Sequence, residues 1–234
     1  MKQISTKDTL KDRLENFKPS NDETELTEKF KELAPKFLYG GYFQVGQRFR
    51  VYIHTVEFYF HAEEGSEFSA IKDPIVYHRN NKSIDGDIPY FPLMALHAHD
   101  SGYDITFENE DKKYRASALI RAYEIYDNDK KCFLVYDTNP EVQKFVAQKE
   151  SKQYNNQVTY LKKILNGFES DNIKWMSEET HFDKDSMIQK YRKNVYESTS
   201  NISYNPKEDA NGKKVQDERP WSFTRTKDIS LPCL

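Results

Sequence analysis

One stretch of the chain constrains the fold more than any other. Residues 49–61 read F-R-V-Y-I-H-T-V-E-F-Y-F-H, and this density of β-branched and aromatic residues predicts a long strand. Strict alternation of side chains would place one set of residues on a single face: Phe49, Val51, Ile53, Thr55, Glu57 and Tyr59. Glu57 then lies on an apolar face, where an unpaired carboxylate costs several kcal/mol or takes up a proton. The sequence leaves two explanations open: a structural ion pair or a functional carboxylate.

Composition limits the class of protein. The 234 residues are enough for one domain with a sizeable core, and 16 Tyr and 15 Phe indicate that this core is largely aromatic. We expect a single domain over 1–234, with 1–20 loosely attached. The chain begins without an apolar signal segment and has no apolar run of about 20 residues. Its two cysteines, Cys132 and Cys233, form no CxxC motif, so we expect neither a disulfide framework nor a zinc site, and a cytoplasmic location.

The pattern of apolar residues predicts both helices and strands. A capping sequence at 20–23, followed by an apolar stripe, predicts a helix that ends at Pro35 and 40–41. Further strands are predicted over 43–60, 104–107, 116–126, 132–136 and 221–225, and further helices over 142–148, 156–166, 172–179 and 185–195. A long irregular stretch separates the strands between 63 and 101, and such insertions often carry function.

Seven short motifs occur in an order that resembles the alkyladenine (methylpurine) DNA glycosylase family. They are L-A-P-K-F-L-Y-G at 33–40, E-F-Y at 57–59, a loop histidine at 78, a tyrosine-bearing hairpin at 86–91, D-I-T at 104–106, L-I-R-A-Y-E at 119–124 and P-W-S-F-T-R at 220–225. The resemblance implies an α+β fold: a strongly curved antiparallel sheet approaching a barrel, with helices packed outside. This architecture is similar to the C-terminal domain of methionyl-tRNA formyltransferases, so the fold alone does not define a function.

The resemblance also implies a reaction. Enzymes of this family flip a damaged purine out of duplex DNA and hydrolyse its N-glycosidic bond, as monofunctional enzymes of base excision repair. Glu57 would then be the general base and Arg121 would keep it ionised. Tyr59 and His78 would stack on the flipped base. Each residue has an ordinary alternative: Arg121 on a solvated face, Tyr59 in the core, and His78 in a loop without a task.

Three departures from the family pattern bear on the substrate. Asp104 occupies the position of the family's pocket asparagine, which could alter base selectivity. Tyr90 is a candidate wedge or second stacking residue, although Pro89 would interrupt strand pairing in its hairpin. The net charge of −3 is unusual for a duplex-binding protein, so single strands or a free nucleoside are alternative substrates.

The expected partner is duplex DNA carrying a damaged purine. Four basic residues of the second half of the chain are candidates for contacts with the DNA backbone: Lys190, Arg192, Lys193 and Arg225. We expect a monomer that needs no membrane, no cofactor and no metal. The sequence H-A-H-D at 97–100 is similar to a metal-binding fragment but lacks complementary ligands elsewhere, and there is no phosphate-binding glycine motif.

Two other functions remain open from the sequence. One is a barrel of the same fold that binds nucleic acid or a nucleobase without catalysis. The other is a structural α+β domain in which Glu57 and Arg121 form only a buried salt bridge.

Overall fold

The computed structural model describes residues 9–73, 75–76, 78–80, 88–99, 102–133, 172–178, 187–192 and 219–226. Within these ranges the chain forms two helices and nine strands. The helices are α1 (Leu10–Glu15) and α2 (Glu23–Leu38). The strands are β1 (Gly41–Val45), β2 (Phe49–Ala62), β3 (Leu96–His99), β4 (Gly102–Thr106), β5 (Tyr114–Asp127), β6 (Cys132–Phe133), β7 (Ile173–Ser177), β8 (Met187–Lys190) and β9 (Ser222–Arg225).

All nine strands belong to one antiparallel sheet that curls into a half-barrel, which makes the fold α+β as predicted. The two 14-residue strands β2 and β5 pair along their whole length and form its centre. β1 and β9 pair with different halves of β2 and are followed outward by β7 and β8. β4 and β6 pair with different halves of β5, and β3 pairs with β4. The long central pair therefore positions every other strand.

Helix α2 covers one face of this sheet. Asp22 caps it by accepting from the amide of Glu25, and Leu26, Phe30 and Phe37 are fully buried. Phe30 stacks on Phe58 of β2 with ring centroids 4.7 Å apart, so the apolar stripe predicted from the sequence does face the sheet. The prediction that the helix ends at Pro35 is wrong, because α2 continues through it to Leu38.

The segment before α2 is attached more firmly than predicted. Thr9 and Asp12 form a reciprocal capping box at the start of α1. Leu10, Leu14 and Phe17 are buried in the main core, and Phe17 packs on Phe30 at 5.7 Å. Apolar residues at i, i+4 and i+7 thus anchor residues 9–20 to the domain.

A break in register decides which face of the sheet carries Glu57. The pairing of β2 with β5 shifts between Ile53 and Val56. Val51 and Ile53 lie in the main core before the shift, whereas Val56 lies there after it. The single-face alternation predicted over 49–59 is therefore wrong, because an irregularity of this kind reverses the parity of the strand. Glu57 and Tyr59 lie on the face opposite α2, which we call the polar face.

Two predicted helices are strands where the structure describes them. Residues 173–177 form β7, in which Ile173 and Trp175 pack on the core while Lys174 and Met176 are exposed. The pairing of this segment with β1 makes it a strand, and its side chains alternate between buried and exposed as in a strand. Residues 187–190 form β8 instead of a helix. The helices predicted over 142–148 and 156–166 lie outside the described residues.

Two further observations concern the predicted class of protein. Cys132, at the start of β6, is disulfide-bonded, which differs from the expectation that the cysteines form no disulfide. The sequence contains one other cysteine, Cys233, which lies outside the described residues. Neither described helix has the length and apolar character needed to cross a bilayer.

Candidate functional site

Six residues line up across six neighbouring strands on the polar face. In register order they are Lys190, Ser222, Glu57, Leu119, Asp104 and His97. Directly paired residues of antiparallel strands project to the same side, so this cross-sheet row forms one continuous strip. Lys190 is exposed at one end, whereas Glu57 and Asp104 are buried. The strip thus runs from an exposed cation to two buried carboxylates.

Glu57 is the centre of a buried triad with Arg121 and Tyr59. The Nε atom of Arg121 donates to Oε2 of Glu57 at 2.6 Å, and the hydroxyl of Tyr59 donates to the same oxygen at 2.9 Å. Nη2 of Arg121 also donates to the Tyr59 hydroxyl at 3.3 Å. All three residues are at most 6% exposed. The structure therefore brings together three of the residues for which the sequence predicted a common site.

The ring of Tyr59 has both a cation and apolar side chains as neighbours. The guanidinium of Arg192 lies 4.6 Å from the ring centroid, while Val76 and Leu119 pack with Tyr59 in a small apolar cluster. Burial raises the pKa of Tyr59 well above its ordinary value, and the charges of Glu57 and Asp104 act in the same direction. Tyr59 is therefore a neutral hydrogen-bond donor to Glu57.

A second charged cluster, which we call the clamp, surrounds Arg115 further along the polar face. Arg115 is fully buried, and its guanidinium donates to Glu63 at 3.0 Å and to Glu108 at 3.0 Å. It also donates to Asn80 and to the backbone carbonyls of 88 and 89. These bonds hold Glu63, Asn80 and the backbone of 88–89 against the sheet.

The clamp contains two residues that the sequence assigned to the base pocket. His78 is 1% exposed and pairs with Glu108. The guanidinium of Arg115 lies over the ring of Tyr90, 3.6 Å from the ring centroid. Arg115 lies opposite His61 in the pairing of β5 with β2. His61 is four residues along β2 from Glu57, so the backbone positions of the clamp and the triad are about 13 Å apart. The structure therefore places His78 and Tyr90 in clamp contacts rather than against Tyr59.

The four candidates for DNA-backbone contacts are in different surroundings. Lys190 is exposed on the polar face, and Lys193 lies outside the described residues. Arg225 lies over the ring of Tyr39 at 4.3 Å, within the helix-covered side. Arg192 is 1% exposed and donates to Asp73 at 2.7 Å. Arg192 is therefore a correction to the predicted set, because its guanidinium is not presented to solvent.

Arg192 belongs to a cluster that the sequence did not reveal. Asp73 is fully buried and forms ion pairs with Arg192 and Arg219. The guanidinium groups of both arginines lie over the Trp221 ring, 5.0 Å from its centroid. Burial acts to raise the pKa of Asp73, but the two arginine charges outweigh it and hold this pKa below its ordinary value. The partners are more than 100 residues apart in sequence, so no local spacing signals them.

His61 should make the domain sensitive to acid. Its Nδ1 accepts from the amide of Asp73 at 3.1 Å, and burial lowers the pKa of His61 to about 4. The unfolded state then binds a proton that the folded state does not bind, so stability is full above about pH 6.5 and falls towards pH 4. The expected loss is about 3 kcal/mol in the free energy of unfolding. Urea denaturation across this range should show it, and His61→Gln should remove that part of the slope. An NMR titration of His61 near pH 6.5 would contradict the assignment.

No group of three or more histidine, cysteine or acidic side chains among the described residues is arranged to hold a metal ion. His97, from the predicted metal-like fragment, instead packs on Phe91 with ring centroids 4.1 Å apart and the rings tilted by 32°, and it lies opposite Asp104. The side chain of His99 lies outside the part of the structure that is described.

No protein-family model, curated protein or solved structure matches this chain. Its function must therefore be inferred from the cross-sheet row, the triad and the charged clusters around them.

Proposed function

We propose that this protein is a DNA N-glycosylase that removes alkylated or deaminated purines, with a fold related to the formyltransferase C-terminal domain. The observation that carries the proposal is the triad: a buried glutamate held by an arginine and a tyrosine in the middle of a sheet. Three motifs that resemble the glycosylase family, at 57–59, 104–106 and 119–124, contribute residues to this one face.

The reaction assigns a task to each residue of the triad. A water molecule attacks C1′ of the flipped nucleotide while Glu57 takes its proton, and the bond from C1′ to the base breaks with its electron pair leaving on the base. Arg121 and Tyr59 fix the position of the carboxylate through their bonds to Oε2. The remaining ring surface of Tyr59 supports the base by stacking. Positioning and proton transfer need no metal in this scheme.

The ring of Tyr59 is covered in the described structure. Val76 is 1% exposed and packs on Tyr59 and Leu119, at the place where a base would stack. A flipped base must therefore displace Val76, with Ile75 beside it. Both residues are held by backbone hydrogen bonds: the amide of Ile75 donates to Asp73 at 3.4 Å, and the carbonyl of Val76 accepts from the side chain of Arg79 at 2.7 Å. These bonds must break if the backbone moves with the side chain.

Duplex binding would be weak and strongly dependent on salt, because the chain is net acidic. Lys190 is the candidate for a phosphate contact that lies on the same face as the triad. It is two strands from Glu57, or about 10 Å. We expect a monomer that acts without a cofactor.

Two substitutions at Tyr59 separate its hydroxyl from its ring. Tyr59→Phe keeps the stacking surface but removes the donor to Glu57, so base binding should change less than about threefold while stability falls by about 1–3 kcal/mol. Tyr59→Ala removes the ring, and binding should weaken about 5- to 150-fold. Calorimetric titration with a modified purine measures both. Unchanged binding by Tyr59→Ala would show that the stacking role is wrong.

A second candidate is a barrel that binds nucleic acid or a nucleobase without catalysis. The coverage of Tyr59 by Val76 and the burial of Arg192 favour it, since both reduce the surface offered to duplex DNA. Incubation with oligonucleotides carrying 3-methyladenine, hypoxanthine or ethenoadenine distinguishes the two. The glycosylase leaves abasic sites, and the binding barrel leaves the oligonucleotide intact.

A further inference from the structure

The cross-sheet row places a second carboxylate on the same face as Glu57. Asp104 is 3% exposed and lies two strands from Glu57, or about 10 Å, with Leu119 between them. Its charge contributes to the raised pKa of Tyr59, so Asp104 acts on the space that contains the Tyr59 hydroxyl. The two carboxylates thus bracket an apolar patch formed by Leu119 and the Tyr59 ring.

This arrangement fixes which edge of a flipped purine meets Asp104. If the sugar is held at Glu57 and Arg121, a base over Leu119 extends along the row with the edge farthest from its glycosidic bond towards Asp104. That far edge is the Watson–Crick edge, by which flipped bases are commonly read. His97, opposite Asp104 and packed on Phe91, closes the row beyond it.

The chemistry of a carboxylate restricts what it can read. An ionised aspartate only accepts hydrogen bonds, and its two oxygens match two adjacent donors. A 2-amino-6-oxopurine presents such a pair, N1–H and the 2-amino group. Adenine presents one donor beside an acceptor, hypoxanthine presents one donor, and ethenoadenine presents none.

We infer that Asp104 selects guanine-type bases, such as 7-methylguanine, over adenine-type bases. This inference rests on the proposed placement of the flipped base and names the substrate class of that site. A base that presents an acceptor to Asp104 sets two acceptors against each other and gains no charge-assisted hydrogen bond, a difference of about tenfold or more in affinity. Asp104→Asn replaces one acceptor by a donor and so removes the match to a guanine-type edge.

Binding of free bases tests the inference without requiring catalysis. Calorimetric titration of the full chain with 7-methylguanine and with ethenoadenine should give at least about tenfold tighter binding of 7-methylguanine. Asp104→Asn should reduce this ratio to near one. Asp111→Asn, the same change on an exposed turn, should leave the ratio as in the wild type.

Equal binding of the two bases by the wild type, binding of neither, or an unchanged ratio in a folded Asp104→Asn variant would overturn the inference. A parallel assay of base release separates this result from the proposed function. If the wild type prefers 7-methylguanine but releases no base, the selectivity of Asp104 stands and the glycosylase gives way to the binding barrel.

Discussion

Replacing Glu57 by glutamine should slow base release by about 10²–10⁴-fold, because the amide keeps the shape of the side chain but cannot take the proton of water. The amide oxygen can still accept from Arg121 and Tyr59, so the fold should survive with a smaller free energy of unfolding. Single-turnover release of base from a lesion-containing oligonucleotide at low salt measures the effect.

Glu124→Gln is the matched control for this experiment. Glu124 is also a buried glutamate on the central pair of strands, 4% exposed and paired with Tyr52, but it lies outside the triad. It should retain the rate of the wild type. An active Glu57→Gln variant, or a Glu124→Gln variant that is equally slow and normally folded, would show that Glu57 is not the general base.

Replacing Arg115 by methionine should cost about 3–5 kcal/mol in the free energy of unfolding, because it leaves Glu63 and Glu108 buried without their cation. The loss also releases the carbonyls of 88 and 89, which the guanidinium ties to the sheet. Urea denaturation monitored by circular dichroism measures the change.

Arg48→Met provides the comparison. Arg48 is 46% exposed. Its partner Asp127 is fully buried, but that carboxylate also accepts from the backbone amides of 129 and 130 and keeps these hydrogen bonds when Arg48 is replaced. Its loss should therefore cost only about 1 kcal/mol. Equal costs for the two variants would mean that the clamp contributes no more than an ion pair whose cation is half exposed.

The sequence identified the triad because its charges interrupt apolar strands. A carboxylate at 57 and an arginine at 121 are each costly to bury alone, and this cost predicted their pairing, now seen at 2.6 Å. The face on which they lie was predicted wrongly. A local signal for the register shift was present in the sequence: apolar residues fall at odd positions up to Ile53 and at even positions from Val56, with two polar residues between them. The prediction of strict alternation overlooked this change of parity.

Other parts of the site depended on contacts between distant segments. Arg192 looks like a surface cation in its own stretch of sequence, and only the fold brings Asp73 against it. His78 likewise looks like a loop histidine in its own stretch of sequence, and only the fold brings it against its buried partner Glu108 in the clamp. β7 and β8 are four or five residues long, too short for periodicity alone to separate a strand from a helical turn.

The most direct measurement of the central claim is the release of free base by the wild-type protein. Duplex oligonucleotides carrying 7-methylguanine, 3-methyladenine, hypoxanthine or ethenoadenine would be incubated at low salt with a chelator, and the free base would be identified by mass spectrometry. A glycosylase built on Glu57, Tyr59 and Arg121 predicts free base and an abasic strand in equal amounts, with release lost in Glu57→Gln. Intact oligonucleotide with every lesion would contradict the glycosylase.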